Sequence, residues 1–266
     1  MDQGSDNWHK WRAQGIGGSD APIIMNVSPW KTAFVLWEEK TGRVVKEQGG
    51  NFATERGNRL EPIARAKYEL EYDFEMGAAT CQHETLPYMR ASMDGWNPKL
   101  KRGLEIKCPG KPDHEKARAG EIPEKYWPQL QHQFIVTGAE VIDYYSYWMG
   151  KDVPDHMGEG IRIEVKPDFE YIKTYLKVAA EFWRCVTENV PPGMSEDDFK
   201  KNRLIIARKS AEEWKRLAKE RESLQTQINE VESKLFEYGK RVQFQGTGVR
   251  TNDGKVEVFD EQERTP

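Results

Sequence analysis

The sequence predicts an α/β protein, a mixed sheet with flanking helices, extended by a long helix and a closing β-hairpin. Three observations carry this. Along residues 1–208, stretches with apolar residues at three- and four-residue steps alternate with short β-prone runs. The run Val141–Met149 is rich in β-branched and aromatic residues. Beyond Ala211 the pattern becomes heptad-like, and after Arg241 it breaks into short alternating segments punctuated by Gly246, Gly248 and Asp253-Gly254. The expected organisation is a main domain over 1–208, a long helix over 209–240 and a hairpin tail over 241–266.

In chain order, a Trp/Arg cluster from Trp8 to Arg12 precedes a glycine-rich turn, Gly15–Asp20. Ser19 or Asp20 is placed to cap a helix beginning at Ala21. A second helix is expected from Ala33 to Lys40, closed by Gly42 in the left-handed conformation. Leu60, Ile63, Ala64, Lys67 and Tyr68 have helical spacing between Asn58 and Glu71, with Glu61 near the first turn. Strands are expected over His83–Met89, Arg90–Trp96 and Leu104–Cys108, with a turn at Asn97–Gly103 and a stop at Pro109-Gly110.

A helix over 124–138 offers Tyr126, Leu130, Phe134 and Val136 to the core. Ile161–Val165 is expected to pair beside Val141–Met149, and residues 168–188 form an amphipathic helix ending before Pro191-Pro192. Trp214, Leu217, Leu224, Ile228, Val231, Leu235 and Tyr238 mark about four heptads, a helix roughly 40 Å long. Such a stripe suits oligomerisation or partner docking, and equally a helix folded back on its own domain.

Composition narrows the function classes. With 37% hydrophobic and 11% aromatic residues, the 266-residue chain can bury a core. No apolar run reaches the roughly 18 residues of a membrane span. The first residues lack a basic-then-apolar signal pattern, so a soluble cytoplasmic protein without membrane contact is expected. Cys81, Cys108 and Cys185 are dispersed, which argues against a structural zinc site or an iron–sulfur cluster and fits free thiols in a reducing compartment. A net charge of −4 is not the bulk signature of a nucleic-acid binder, yet a local basic groove needs no positive total. His83, His114 and His132 lack metal-ligand spacing, and Trp148 with Tyr144–Tyr147 reads as sheet core.

Chemistry concentrates in Asp94 and Glu105-Ile106-Lys107. On a strand, Glu105 and Lys107 share a face while Ile106 points to the core. If the strands around Asp94 and Glu105 are neighbours, two carboxylates lie side by side, and a hard divalent cation such as Mg²⁺ relieves their repulsion. Lys107 then stands where a scissile phosphate exposes its charge. It can orient or deprotonate an attacking water, or stabilise the pentavalent phosphorus. Glu61 can add a carboxylate from the preceding helix. The same spacing also describes an ordinary cross-strand ion pair.

Longer motifs decide between these readings. Trp8-His9-Lys10-Trp11-Arg12, Gly15-Ile16-Gly17-Gly18-Ser19, Ser28-Pro29 and Glu39-Lys40-Thr41-Gly42 come first. Gly57-Asn58-Arg59-Leu60-Glu61, Ala91-Ser92-Met93-Asp94-Gly95, Leu104-Glu105-Ile106-Lys107-Cys108-Pro109 and Tyr126-Trp127-Pro128-Gln129-Leu130-Gln131 follow in order. This set resembles the lambda-exonuclease-like, YqaJ-type phage recombinase nucleases of the PD-(D/E)xK superfamily, over most of residues 8–188. Met93 stands where that family has a proline before the aspartate.

The resemblance implies a restriction-endonuclease-like core and a Mg²⁺-dependent 5′→3′ exonuclease, with Mn²⁺ able to substitute. Such an enzyme resects one strand of duplex DNA ends to leave 3′ overhangs for a single-strand annealing protein in recombination. It implies metal ligation by Asp94 and Glu105 with the Ile106 carbonyl, a catalytic Lys107, and Glu61 as the helical glutamate. It further implies Gln129 as a site-organising glutamine, with Gln131 two positions on. Arg12, Ser19 and Ser92 align with a 5′-phosphate pocket, although Arg12 also suits a surface ion pair and Ser19 a plain helix cap. Lys31 and Arg90 are the candidates for a second pocket cation. The resemblance also implies a phage or prophage protein acting in a bacterial host, and a homo-oligomer, a closed trimer ring. The residues after Lys209 are additional to compact relatives.

Overall fold

The central sheet has five strands in the order β1 (Gly77–Gln82), β2 (Arg90–Asn97), β3 (Arg102–Lys107), β4 (Val141–Trp148) and β5 (Glu159–Val165). All neighbours are antiparallel except β3 and β4, which run parallel. A parallel pair needs a crossover; α5 (Lys111–Arg118) and α6 (Trp127–Thr137) supply it. Further α-helices of this region are α1 (Asp6–Ala13), α2 (Ala21–Ile24), α3 (Ala33–Lys40), α4 (Phe52–Tyr72) and α7 (Phe169–Thr187). The computed structural model describes residues 4–44, 52–151, 153–195, 198, 208–243, 247–252 and 255–260. The chain divides into two compact units, Met1–Asn202 and Arg203–Pro266.

Local chemistry explains the helix ends. The Ser5, Thr32 and Asp168 side chains accept from Trp8 N, Val35 N and Tyr171 N at 3.2, 3.3 and 3.0 Å, capping α1, α3 and α7. Helix α6 carries Pro128 in its first turn, where no N–H is missed, and closes on Gly138 at φ 64°.

Strand alternation then sorts the sheet's two faces. Leu104, Ile106, Tyr145 and Tyr147 pack with Leu60, Ala64 and Tyr68 of α4 in one buried cluster. On that face, fully buried Asp143 accepts from the Tyr68 hydroxyl and from Arg102 Nη1 at 2.6 Å. Glu105 faces the other way, toward α6, whose Leu130 and Phe134 are buried.

Several expectations shift. Strand β1 is an addition, and His83–Met89 is a turn rather than a strand. His83 Nδ1 accepts from the amides of Thr85 and Leu86 at 3.2 and 3.1 Å, which curls the chain there. Helix α4 begins at Phe52 instead of Asn58, so Glu61 sits mid-helix. Pro62 therefore lies inside the helix rather than in its first turn. Neither Ser19 nor Asp20 caps α2 by a side-chain bond. Asp20 Oδ2 accepts instead from Gly17 N at 2.9 Å and pairs with Lys40 Nζ at 2.7 Å.

The second unit contains α8 (Arg208–Gln243), 36 residues long, and an antiparallel hairpin of β6 (Thr247–Asn252) and β7 (Lys255–Asp260). Helix α8 runs past Arg241, where the tail was expected to start. Leu217, Leu224, Ile228, Val231, Leu235 and Tyr238 are exposed along it. The Asp253-Gly254 turn and Gly246 lie outside the described residues. Among the described residues no helix is long and apolar enough to cross a membrane.

The Asp20–Lys40 pair is the principal ionic tie of the glycine-rich turn, since Lys40 Nζ also donates to the Gly15 carbonyl at 2.6 Å. Burial pushes the Asp20 carboxyl up, but Lys40, Arg12 and the Gly17 amide outweigh it and hold it at about 2. A depressed carboxylate stabilises the fold fully above its unfolded value and loses that contribution as pH falls toward 2. Lys40→Met therefore strands a buried charge and lowers unfolding free energy by about 3–5 kcal/mol in urea melts at neutral pH. The gap from wild type narrows below the ordinary aspartate range; equal midpoints at neutral pH would refute this role.

Candidate active site

The site forms where two strands part. Pairing between β2 and β3 runs from Asn97↔Arg102 through Trp96↔Gly103 to Gly95↔Leu104. The next position on β2 is Asp94, whose Oδ2 accepts from Ile106 N at 2.8 Å. A side-chain carboxylate thus takes a ladder amide, and the strands fork around it. Glu105 lies beside the fork, 2% exposed. Burial, then Glu105, then Glu61 raise the Asp94 carboxyl well above its ordinary range, against the pull of Lys107 and the Ile106 amide.

Lys107 shares Glu105's face, as strand alternation requires, and its Nζ lies 2.5 Å from Glu105 Oε1 and 3.1 Å from Gln129 Oε1. Burial lowers the affinity of the Lys107 ammonium for its proton, but Glu105 and Asp94 outweigh it and raise the pKa, so this lysine is a cation. Gln129 Nε2 donates to Glu105 Oε1 at 2.6 Å, closing a Glu–Lys–Gln triangle. Gln133, fully buried one helical turn later, donates to Glu105 Oε2. Its role was not anticipated, although its i+4 spacing from Gln129 on α6 was available as a signal. Gln131 points elsewhere, accepting from Asp168 N at 2.9 Å.

Glu61 comes from α4 and is held by Arg65 at 2.7 Å. Among the described residues no group of three or more His, Cys, Asp and Glu side chains forms a ready ligand cage. The donors at the fork nevertheless suit a hard divalent ion. They are all oxygen, they carry excess negative charge felt at Asp94, and Mg²⁺ takes one or two carboxylates plus substrate oxygens and water. Cys108, next in sequence, is pushed up to about 12 by burial and stays a thiol.

A second cluster adjoins the fork. Ser92 lies two residues before Asp94 on the same face of β2. Trp8 Nε1 donates to Ser92 Oγ at 2.8 Å, Arg12 lies over the Trp8 ring at 5.0 Å, and Arg12 Nη2 donates to Ser19 Oγ. Arg12, Ser19 and Ser92 are therefore brought together, with Trp8 as the unforeseen link. Neither candidate second cation joins them by contact: Lys31 pairs with Glu39 at 2.5 Å, and Arg90 donates to the Trp11 carbonyl.

Close approach fixes the glycine-rich turn against both clusters. A Cβ on Gly15 would meet the Tyr88 carbonyl at 2.5 Å, and one on Gly18 would meet Gln129 Cγ at 3.3 Å. Fully buried His132 anchors α6 from behind, its Nε2 donating to the Arg90 carbonyl at 2.8 Å and its Nδ1 accepting from Tyr175 at 2.7 Å. Burial pushes its pKa down to about 4, so it is a neutral structural group. Tyr144, Tyr145 and Tyr147 are buried in the sheet, as expected.

Comparison with known proteins bears on this geometry. The YqaJ-like viral recombinase domain matches residues 7–140, which include most of α1, the glycine-rich turn, β2, β3 and Gln129. The uncharacterized protein YqaJ of Bacillus subtilis (strain 168) is 32% identical over 181 residues, 67% of this chain. The chain spans about half the length of that relative, 55%. Among solved structures, the alkaline exonuclease LHK-Exo from Laribacter hongkongensis superposes with a TM-score of 0.60 at 25% identity, covering 70% of this chain and 94% of that one. LHK-Exo in complex with dAMP superposes at 0.59 and 23% identity and supports the fold.

The crowding at the fork is itself measurable. Asp94→Asn keeps an acceptor for the Ile106 amide and removes one of the mutually repelling charges. It is expected to raise stability by about 1–2 kcal/mol in EDTA at neutral pH, read by thermal unfolding. A lowered midpoint would show that Asp94 is not under charge strain.

Proposed function

The chain belongs to the YqaJ-like viral recombinase family, and we propose that it is a metal-dependent deoxyribonuclease working 5′→3′ from the ends of linear duplex DNA. The observation that carries this reading is the fork: Asp94 and Glu105 side by side, with Lys107 held between Glu105 and Gln129. The likeness to an alkaline exonuclease along nearly its whole length supports it.

Asp94, Glu105 and the Ile106 carbonyl are the groups that would hold Mg²⁺ or Mn²⁺, with Glu61 alongside. When bound, the ion supplies Lewis acidity toward the phosphodiester. The rest falls to the protein. Lys107 presents a fixed ammonium to the scissile phosphate and stabilises the charge that builds on its oxygens. Gln129 and Gln133 hold both oxygens of Glu105, so that carboxylate cannot rotate away. Glu61, whose charge acts on Asp94, is the carboxylate that would orient a water.

Arg12, Ser19 and Ser92 bind the terminal 5′-phosphate. Arginine and two hydroxyls match a phosphate dianion, and the Trp8 ring lies beneath the arginine. An end-anchored phosphate places the neighbouring linkage at the fork, which explains exonucleolytic cutting. The resected duplex offers a 3′ overhang to a single-strand annealing partner.

The test is digestion of end-labelled linear duplexes carrying 5′-phosphate or 5′-hydroxyl, beside closed circles, with Mg²⁺. Nucleotides are released from the linear DNA, faster with 5′-phosphate, and circles survive. Lys107→Ala lowers the rate about 10²–10³-fold. Rapid nicking of circles would make the protein an endonuclease. End binding without any cleavage would make it a binding module.

A further inference from the structure

A row of alternating rings and cations leads from Lys107 to the surface. Lys107 Nζ lies 5.3 Å from the centre of the Tyr126 ring. Lys125 Nζ lies 5.1 Å from the centre of the same ring and 5.1 Å from that of the Trp30 ring. Trp30 ends the row at 66% exposure, in the turn before α3. The row therefore joins two segments distant in sequence and starts at the fork.

A single exposed tryptophan has no functional weight by itself. Here its position does. Tyr126 is fixed from beneath by the Tyr144 ring, centres 5.9 Å apart. Lys125 is fixed by Asp113 at 2.6 Å and by the Tyr126 hydroxyl, and an ammonium with three donors keeps one for a further acceptor. The cations stay put while the outer ring is left bare.

We propose that Trp30, Lys125 and Tyr126 form a binding strip for unpaired nucleotides next to the scissile linkage. A base stacks on Trp30, the adjoining phosphate takes Lys125, and Tyr126 spaces that cation from Lys107. The strip rests on the nuclease reading, which supplies the strand. Three features select an unpaired strand over a duplex. An indole face is matched by the face of a base, and in a duplex that face is already stacked. Cations spaced by a ring suit successive phosphates of one flexible strand. Continuity with Lys107 puts the strip on the path of DNA at the fork.

The experiment is equilibrium anisotropy in EDTA, where nothing is cut, with labelled oligothymidine, a duplex bearing a single-stranded tail, and a blunt duplex. Thermal unfolding confirms that each variant is folded. Trp30→Ala weakens oligothymidine and tailed DNA roughly 5- to 100-fold and leaves the blunt duplex unchanged. Trp30→Phe recovers most of the loss. Lys125→Gln reduces the salt slope of single-strand binding by about 0.7. Unchanged affinity of Trp30→Ala for tailed DNA would overturn the strip, as would an equal loss on blunt duplex.

Digestion by the wild type with Mg²⁺ separates the two readings. Cleavage with no Trp30 effect sinks the strip alone. A Trp30 effect without cleavage retains the strip and sinks the nuclease.

Discussion

The amide of Ile106 gives its hydrogen to the Asp94 carboxylate, and most of the site follows from that bond. A backbone donor in a sheet ordinarily finds a neighbouring strand, so diverting it to a side chain ends the β2–β3 ladder at Gly95↔Leu104. The carboxylate thereby enters a buried position beside Glu105 and within reach of Glu61's charge. Isolated carboxylates cannot share such a space without a cation or a bound proton. Lys107 offsets part of that charge, and two glutamines restrain Glu105. The fork is a locally unfavourable arrangement maintained by a rigid surround, which is how charge-binding sites are generally built.

The rigid surround is assembled from distant parts of the chain. The glycine-rich turn is clipped to β2 by Ile16 N donating to the Tyr88 carbonyl at 2.6 Å and Arg90 N to the Ile16 carbonyl at 2.9 Å. Lys40 of α3 holds the same turn through Asp20 and Gly15. Gly18 then lies against the two glutamines of α6. Arg12, Ser19 and Ser92 are thus coupled mechanically to Glu105.

The charged members of the site were readable because strand alternation is a strict period: Glu105 and Lys107 had to share a face, and Ile106 had to be buried. The helices α3, α6 and α7 were equally legible, since their caps and stops are local chemistry. Strand β1 was not, because Gly77-Ala78-Ala79-Thr80-Cys81-Gln82 has little apolar alternation and is a strand through its pairing with β2. The Asp20 carboxylate misled for a related reason. A cap is a short-range preference of about 1 kcal/mol, whereas a buried ammonium arriving from α3 is a long-range partner that no local pattern encodes. Gln133 belongs to the same class, meaningful only once α6 crosses over Glu105.

The parallel pairing of β3 with β4 has a temporal side. A ribosome delivers Asp94, Glu105 and Lys107 early, but β3 lacks one of its two neighbours until β4 has been made. Gln129 and Gln133, which orient Glu105, arrive only with the crossover. A nascent chain that already carries Asp94, Glu105 and Lys107 therefore does not yet hold them in place. Until that long-range closure, Glu105 has neither of the glutamine partners that hold its two oxygens in the finished fold.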